Sequence, residues 1–226
     1  MKPLCVIPAR GGSKRLPRKN IAEIGGKPMV AYAIEAALTS GVFEKVCVST
    51  EDEEIAAVSR ASGAEVPFMR RPDLASDTAT IVDVSLDVLA FFEEMRIVFL
   101  EMGVLLPTCP LRTAEDIQEA YRRFREANAQ FLMAVTEYDH SPFRALKKEG
   151  VYLDAFWDRK YLSMKAQELP HVLVDNGAVY FVKTEALKKQ RIFYGEKLIG
   201  YYMPRERSVD VDTIADLKIV RALMGF

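Results

Sequence analysis

Short apolar runs alternate with helix-length segments along most of this chain, and that rhythm constrains the fold more than any other feature. The run Leu4-Cys5-Val6-Ile7 reads as a buried strand. A helix is expected over Met29–Leu38 with Pro28 as its first residue, then a strand at Val46–Thr50 and a helix over Glu51–Ser62. Further on, helices are expected at Ile81–Glu94, Ala114–Glu126, Thr184–Lys189 and Asp212–Met224. Strands are expected at Glu65–Phe68, Ile97–Leu106, Phe131–Thr136, Asn176–Val182 and Leu198–Met203. Strand–helix alternation at this spacing implies an α/β fold, with a mostly parallel central sheet covered by helices on both faces.

The rhythm breaks between residues 137 and 175. A hairpin-like stretch around Gly150 and the aromatics Phe156, Trp157 and Tyr161 mark an excursion from the main sheet. The 226 residues otherwise read as one domain, 1–226, with no internal repeat or low-complexity linker.

Bulk charge narrows the partners. A net charge of −1 gives no global field for nucleic acid or an anionic membrane. No apolar run is long enough for a membrane span, and no secretory signal is evident. Three scattered cysteines form neither a disulfide framework nor a metal-ligand pattern, as expected in a reducing cytoplasm.

Against that neutral background the first loop stands out. Arg10, Lys14, Arg15, Arg18 and Lys19 place five cations in ten residues, around Gly11, Gly12 and Ser13, with no acid among them. Glycines admit close backbone approach, and exposed N–H groups with cations make a cradle for phosphate oxygens. A solvated basic turn is the competing reading; the order strand, glycine loop, cations favours a polyphosphate site. The glycines match neither the dinucleotide fingerprint nor a Walker loop.

A second constellation is Ser208-Val209-Asp210-Val211-Asp212. Alternate residues of an extended segment share a face, placing the two carboxylates about 6–7 Å apart along the backbone. Beside a phosphate site such a pair suits a hard cation such as Mg²⁺. Asp212 is also a candidate cap for the following helix, as Asp77 and Thr80 are for Ile81–Glu94. His140 and His171, the two histidines, carry no acid pattern that fixes a catalytic role, and no nucleophile elbow is present.

Taken together these residues resemble the acylneuraminate (nonulosonate) cytidylyltransferases. The resemblance rests on Ile7-Pro8-Ala9-Arg10-Gly11-Gly12-Ser13-Lys14, Leu16-Pro17-Arg18-Lys19-Asn20, Arg70 with Leu74–Ala79, Pro107–Arg112, Asn176–Tyr180 and Asp210-Val211-Asp212. It implies a Rossmann-like nucleotide-sugar transferase fold, CTP and an acidic 2-keto sugar as substrates, Mg²⁺, and a homodimer whose 137–175 arm closes the other subunit's sugar pocket. It also implies catalytic roles for Arg10, Lys19 and Asp210. Gly11, Gly12, Ser13 and Lys14 would line the triphosphate loop, Asn20, Arg70 and Thr80 would contact cytidine, and Asp210 and Asp212 would hold the metal. Arg144, Gln167, Asn176 and Tyr180 would meet the sugar.

The departures from that pattern cluster on the sugar side. Leu106 stands where the family has glutamine, Cys109 where it has serine, and Arg144 where it has lysine. Ala166 and Val174 stand in place of arginines. Loss of polar sugar partners changes discrimination strongly, which implies a differently decorated nonulosonate, another acceptor, or a nucleotide-binding relative with reduced activity.

Overall fold

A computed structural model describes residues 1–226. In chain order its elements are β1 (Leu4–Pro8), β2 (Glu23–Ile24), β3 (Lys27–Pro28), α1 (Met29–Ser40), β4 (Lys45–Ser49), α2 (Glu53–Ala61), α3 (Ile81–Glu94), β5 (Glu101–Val104) and α4 (Ala114–Glu126). These are followed by β6 (Phe131–Glu137), β7 (Leu146–Glu149), β8 (Tyr152–Ala155), α5 (Lys160–Ser163), β9 (Leu173–Lys183), α6 (Thr184–Gln190), β10 (Leu198–Tyr202) and α7 (Ile214–Leu223). The central sheet runs β10-β6-β9-β5-β1-β4. Its pairs β1/β4, β1/β5 and β6/β10 are parallel, and only β9 runs against its neighbours β5 and β6. The expected mostly parallel sheet is therefore the one observed.

Strand alternation decides which helices cover which face. In β1, Cys5 and Ile7 point to a core shared with α1, α2 and α4 through Ile34, Ile55 and Phe124. Leu4 and Val6 point to a second core filled by Val88, Leu89 and Phe92 of α3 and Leu187 of α6. With period two, each strand feeds both layers, so strands buried on both sides read as continuous apolar runs. A third, smaller cluster joins Leu16 and Met29 to Val211, Leu217 and Val220, and so ties the first loop to the chain's last helix.

Two strand expectations shrink. Glu65–Phe68 forms only an isolated parallel bridge from Glu65 to Cys47; Pro67, which lacks an N–H, follows two residues later. Ile97–Leu106 contracts to β5, because Arg96 turns the chain at φ 62° and Ile97 N–H still bonds the Phe92 carbonyl of α3. Pro28 closes β3 in an extended conformation and precedes α1 without entering it.

The topology fixes where a ligand can sit. β4 pairs on one side of β1 and β5 on the other, so the chain reverses its winding direction at β1, and a crevice opens beyond the strands' carboxyl ends. The loops after β1, β4 and β5 meet there. Because β9 is antiparallel, its beginning, from Asp175 to Ala178, reaches the same rim. Its register against β6 shifts between Met133 and Val135, and Gly177 takes φ 72° in the bulged stretch.

Candidate active site

The loop after β1 is held open from behind. Ala9 N–H bonds the Ser49 carbonyl, Gly11 N–H donates to Glu51 Oε1 at 2.7 Å, and Asn20 Nδ2 donates to the Arg10 carbonyl at 2.8 Å. Gly11 is required by space: a Cβ there would lie 2.5 Å from Asp52 Oδ2. Arg18, in a left-handed conformation, turns back to Asp52 and Glu54 at the start of α2. Of the five cations, Arg18 thus serves the loop's own shape.

Arg10, Arg15 and Lys19 face a cleft of about 370 Å³, together with Asn20, Arg70 and Thr80. Asp210 and Asp212 line the same cleft. Every cleft-facing cation of the loop has a carboxylate partner. Arg10 and Lys14 share Asp77, with Arg10 Nη1 2.9 Å from Asp77 Oδ1, and these two cations hold the Asp77 carboxyl below its usual range, Lys14 contributing more. Arg15 and Lys19 share Asp212, each at 2.8 Å. Arg70 lies buried behind them and donates to Ser49; burial depresses its pKa, and its nearest carboxylate oxygen, on Glu51, is 4.0 Å away.

Asp210 differs from its neighbour. It forms no ion pair with any cation, while Asp212 has two. Burial pushes its carboxyl above the usual range; Asp212, a like charge, raises it further, against relief from Thr108 and Lys19. The residue keeps substantial contact with solvent. The segment carrying both carboxylates belongs to no strand; Val211 between them is buried and its N–H bonds the Thr108 carbonyl at 2.8 Å. The α7 cap is Thr213, in a capping box with Asp216, and not Asp212, so the Asp212 carboxylate is left for Arg15 and Lys19. Likewise Thr80 caps α3, its hydroxyl donating to Asp83 Oδ2 at 2.6 Å, whereas Asp77 is no cap.

A second, larger cleft of about 1060 Å³ adjoins the first. Leu106 and Asp210 line both. Of the residues expected to meet a sugar, Asn176 and Tyr180 line this cleft, but their polar atoms are already engaged. Asn176 Nδ2 donates to Ser208 Oγ at 2.9 Å and its Oδ1 accepts from Ala178 N–H; Tyr180 donates to Asp175 Oδ2 at 2.6 Å. Arg144 and Gln167 lie on the 137–175 excursion and do not line the cleft of their own chain; Arg144 donates to the Met164 carbonyl at 2.6 Å. The excursion itself is the β7–β8 hairpin followed by α5, with Val151, Tyr152, Leu153, Phe156 and Trp157 largely exposed.

Cys109 is fully buried, and burial pushes its thiol up to about 12, so it is an inert packing group whose Sγ donates to the Asn176 carbonyl. The sequence reading missed Asp139, Asp175 and Arg205, all in the wall of the larger cleft. Arg205 lies five residues before Asp210, in a charged run that resembles an ordinary solvated turn.

The crevice beyond a parallel sheet's carboxyl ends is where such folds bind their ligands, and here the loop cations and the two carboxylates line it together. Residues 4–205 match the cytidylyltransferase family, and the chain belongs to it. It is 35% identical over 226 residues to a pseudaminic acid cytidylyltransferase of Campylobacter jejuni, covering 99% of this chain and 96% of that protein. It is 34% identical to the CMP-N,N'-diacetyllegionaminic acid synthase of Legionella pneumophila, with 99% and 97% covered. An N-acylneuraminate cytidylyltransferase of Streptococcus agalactiae is 35% identical, and the chain spans 52% of its length. In fold the chain is similar to a CMP:2-keto-3-deoxy-manno-octonic acid synthetase solved with CTP, at a TM-score of 0.72 and 20% identity over 99% of this chain and 98% of that one.

Proposed function

We propose that the chain transfers CMP from CTP to the anomeric hydroxyl of a nonulosonic acid, releasing pyrophosphate. The observation that carries this reading is the meeting of two clefts at Asp210: the smaller lined by Arg10, Arg15 and Lys19, the larger sized for a second substrate. Names of the similar proteins, which act on pseudaminic, legionaminic and neuraminic acids, support a nonulosonate as acceptor.

In this reading the triphosphate replaces Asp77 and Asp212 as partner of the loop cations. The Asp77 pairs are exposed, contribute little to stability and are readily exchanged, whereas the Lys19–Asp212 pair is partly buried. The acceptor oxygen forms a bond to the α-phosphorus as the bond from that phosphorus to the bridging oxygen breaks. The electron pair leaves with pyrophosphate, and the hydroxyl proton passes to a base or solvent. Arg10 and Lys19 act by neutralising charge on the transferring and leaving phosphates.

The carboxylate pair fits a divalent cation. Asp210 has no ion-pair partner of its own, and its carboxyl is raised by burial and then by the like charge of Asp212. Two carboxylates leave the remaining positions of an octahedral ion to phosphate oxygens and water, as Mg²⁺ favours. Bound by Asp210 and Asp212, Mg²⁺ would polarise the phosphate oxygens.

We further read the excursion as a dimerisation arm. Its exposed apolar side chains need cover, and Arg144 and Gln167 do not line their own chain's cleft. No helix is long and apolar enough to cross a membrane, and the three free buried cysteines suit a reducing compartment such as the cytoplasm. Incubation with CTP, Mg²⁺ and a panel of nonulosonic and octulosonic acids tests the reading. Pyrophosphate release with a nonulosonic acid is expected, and none with any acid would contradict it.

A further inference from the structure

An acidic acceptor entering the larger cleft meets walls of its own sign. The lining contributes six carboxylates, Glu137, Asp139, Asp175, Glu206, Asp210 and Asp216, and one permanent cation, Arg205. Several of the acids have structural duties. Asp216 completes the capping box of Thr213 at the start of α7, and Asp175 accepts hydrogen bonds from Tyr180, Tyr194 and Gly177 N–H. Among these carboxylates Arg205 is the one guanidinium or ammonium group, so a carboxylate substrate has one cation to meet in this wall.

The turn that bears Arg205 is built as a fixed platform. Residues Arg205–Arg207 form a single 3-10 turn after Pro204. Before it, Met203 N–H bonds the Val135 carbonyl at 2.8 Å. After it, Ser208 Oγ donates to the Pro204 carbonyl at 2.8 Å and accepts from Asn176 Nδ2. Arg207, two residues from Arg205, pairs with the buried Asp116, which also receives the Tyr201 hydroxyl at 2.9 Å. Two arginines of one turn are thus divided: Arg207 anchors it, and Arg205 is presented to the cleft. The sole ion-pair partner of Arg205 is Asp139, whose side chain is 76% exposed on the loop after β6. An ion pair this open is weak and exchangeable.

We propose that Arg205 is the chain's own anchor for the acceptor's carboxylate, with Asp139 holding that place until the sugar acid arrives. This assignment rests on the transferase reading above and specifies one contact within it. A guanidinium fork engages a carboxylate through two parallel hydrogen bonds, which fixes orientation as well as affinity. Arg205 stands on the same short connection as Asp210, so a carboxylate held there keeps the neighbouring anomeric hydroxyl near the point where the two clefts join. It also places a cation in a wall where Val174 offers none.

The experiment compares a nonulosonic acid with its methyl ester as acceptors, in the wild type, Arg205→Met, Arg205→Lys and Asp139→Asn. The wild type is expected to prefer the acid over the ester in kcat/KM. In Arg205→Met the KM for the acid rises about 10–100-fold, as for loss of a charge-assisted contact, while the KM for CTP stays within about twofold. The acid-to-ester preference then collapses. Arg205→Lys recovers part of the preference, because charge is restored without the fork. Asp139→Asn lowers the KM for the acid by removing the competing carboxylate. An unchanged acid-to-ester ratio in Arg205→Met overturns the assignment. No turnover of any sugar acid by the wild type, despite protection by CTP against thermal unfolding, contradicts the transferase reading and this assignment with it.

Discussion

Lys19 Nζ lies 2.8 Å from Asp212 Oδ1, joining the first loop of the chain to the segment before its last helix. Residues separated by nearly the whole sequence share one cleft because the loop after the interior strand β1 opens into it and α7 packs back against that loop. Replacing Lys19 by Met leaves Asp212 with Arg15, so the melting temperature is expected to change by only a few degrees. The KM for CTP should rise by about 10–100-fold, the loss expected for one charged contact to phosphate. Steady-state kinetics with CTP varied checks both the direction and the size.

Asp210→Asn separates chemistry from folding. The carboxyl of Asp210 is raised first by burial and then by Asp212, so the charge is a strain on the folded state. The amide is expected to leave the melting temperature equal to or above that of the wild type. Turnover should fall by about 10²–10³-fold, the scale seen when one transition-state charge stabiliser is removed. Thermal melts and pyrophosphate release on the same preparation measure both.

A pH dependence follows from the same residue. A carboxyl raised above the usual range is still partly protonated where ordinary aspartates are ionised, and a protonated Asp210 does not hold a cation. Activity should therefore fall on the acid side at a pH above the usual carboxylate range. Cation binding and deprotonation favour each other, so raising Mg²⁺ should move that limb to lower pH. A limb indifferent to Mg²⁺ would detach Asp210 from metal binding.

Asp52 offers a test of the loop's support. Its Oδ1 accepts the N–H groups of Glu54 and Ile55, each at 3.0 Å, and its carboxylate pairs with Arg18. The Arg18 contact, and then the two backbone donors, hold its pKa below the usual range against opposing burial. With the folded value depressed, its stabilisation is present above the unfolded value of about 3.9 and is lost as pH falls through the folded one. Asp52→Ala should cost about 1–2 kcal/mol near neutral pH, and the gap from the wild type should begin to narrow only below about pH 4, as pH falls toward the depressed folded value. Urea denaturation at the two pH values reads the difference.

What the sequence displayed was periodicity and local charge, and these carried far. The helix Ile81–Glu94 was legible to the residue because Thr80 and Asp83 supply both halves of its capping box. The cation loop was legible because Arg10 to Lys19 cluster in a neutral chain. The direction of β9 was not, since an antiparallel strand buried on both faces has the same apolar run as a parallel one. Asp212 as a cap was a plausible local reading overridden by Thr213 and Asp216 one turn on. Arg205 and Asp139 were invisible because their meeting depends on the loop after β6 and the turn after β10 ending side by side, a relationship between neighbouring strands that no local pattern encodes.

The central claim is that the two clefts joined at Asp210 unite CTP with a sugar acid. The most direct measurement is to identify the product by ³¹P NMR and mass spectrometry after incubation with CTP, Mg²⁺ and a nonulosonic acid. One phosphodiester linking the anomeric oxygen to CMP is expected, with an equal amount of pyrophosphate. CTP left intact with every acid, or cleaved without a CMP-sugar, would contradict it.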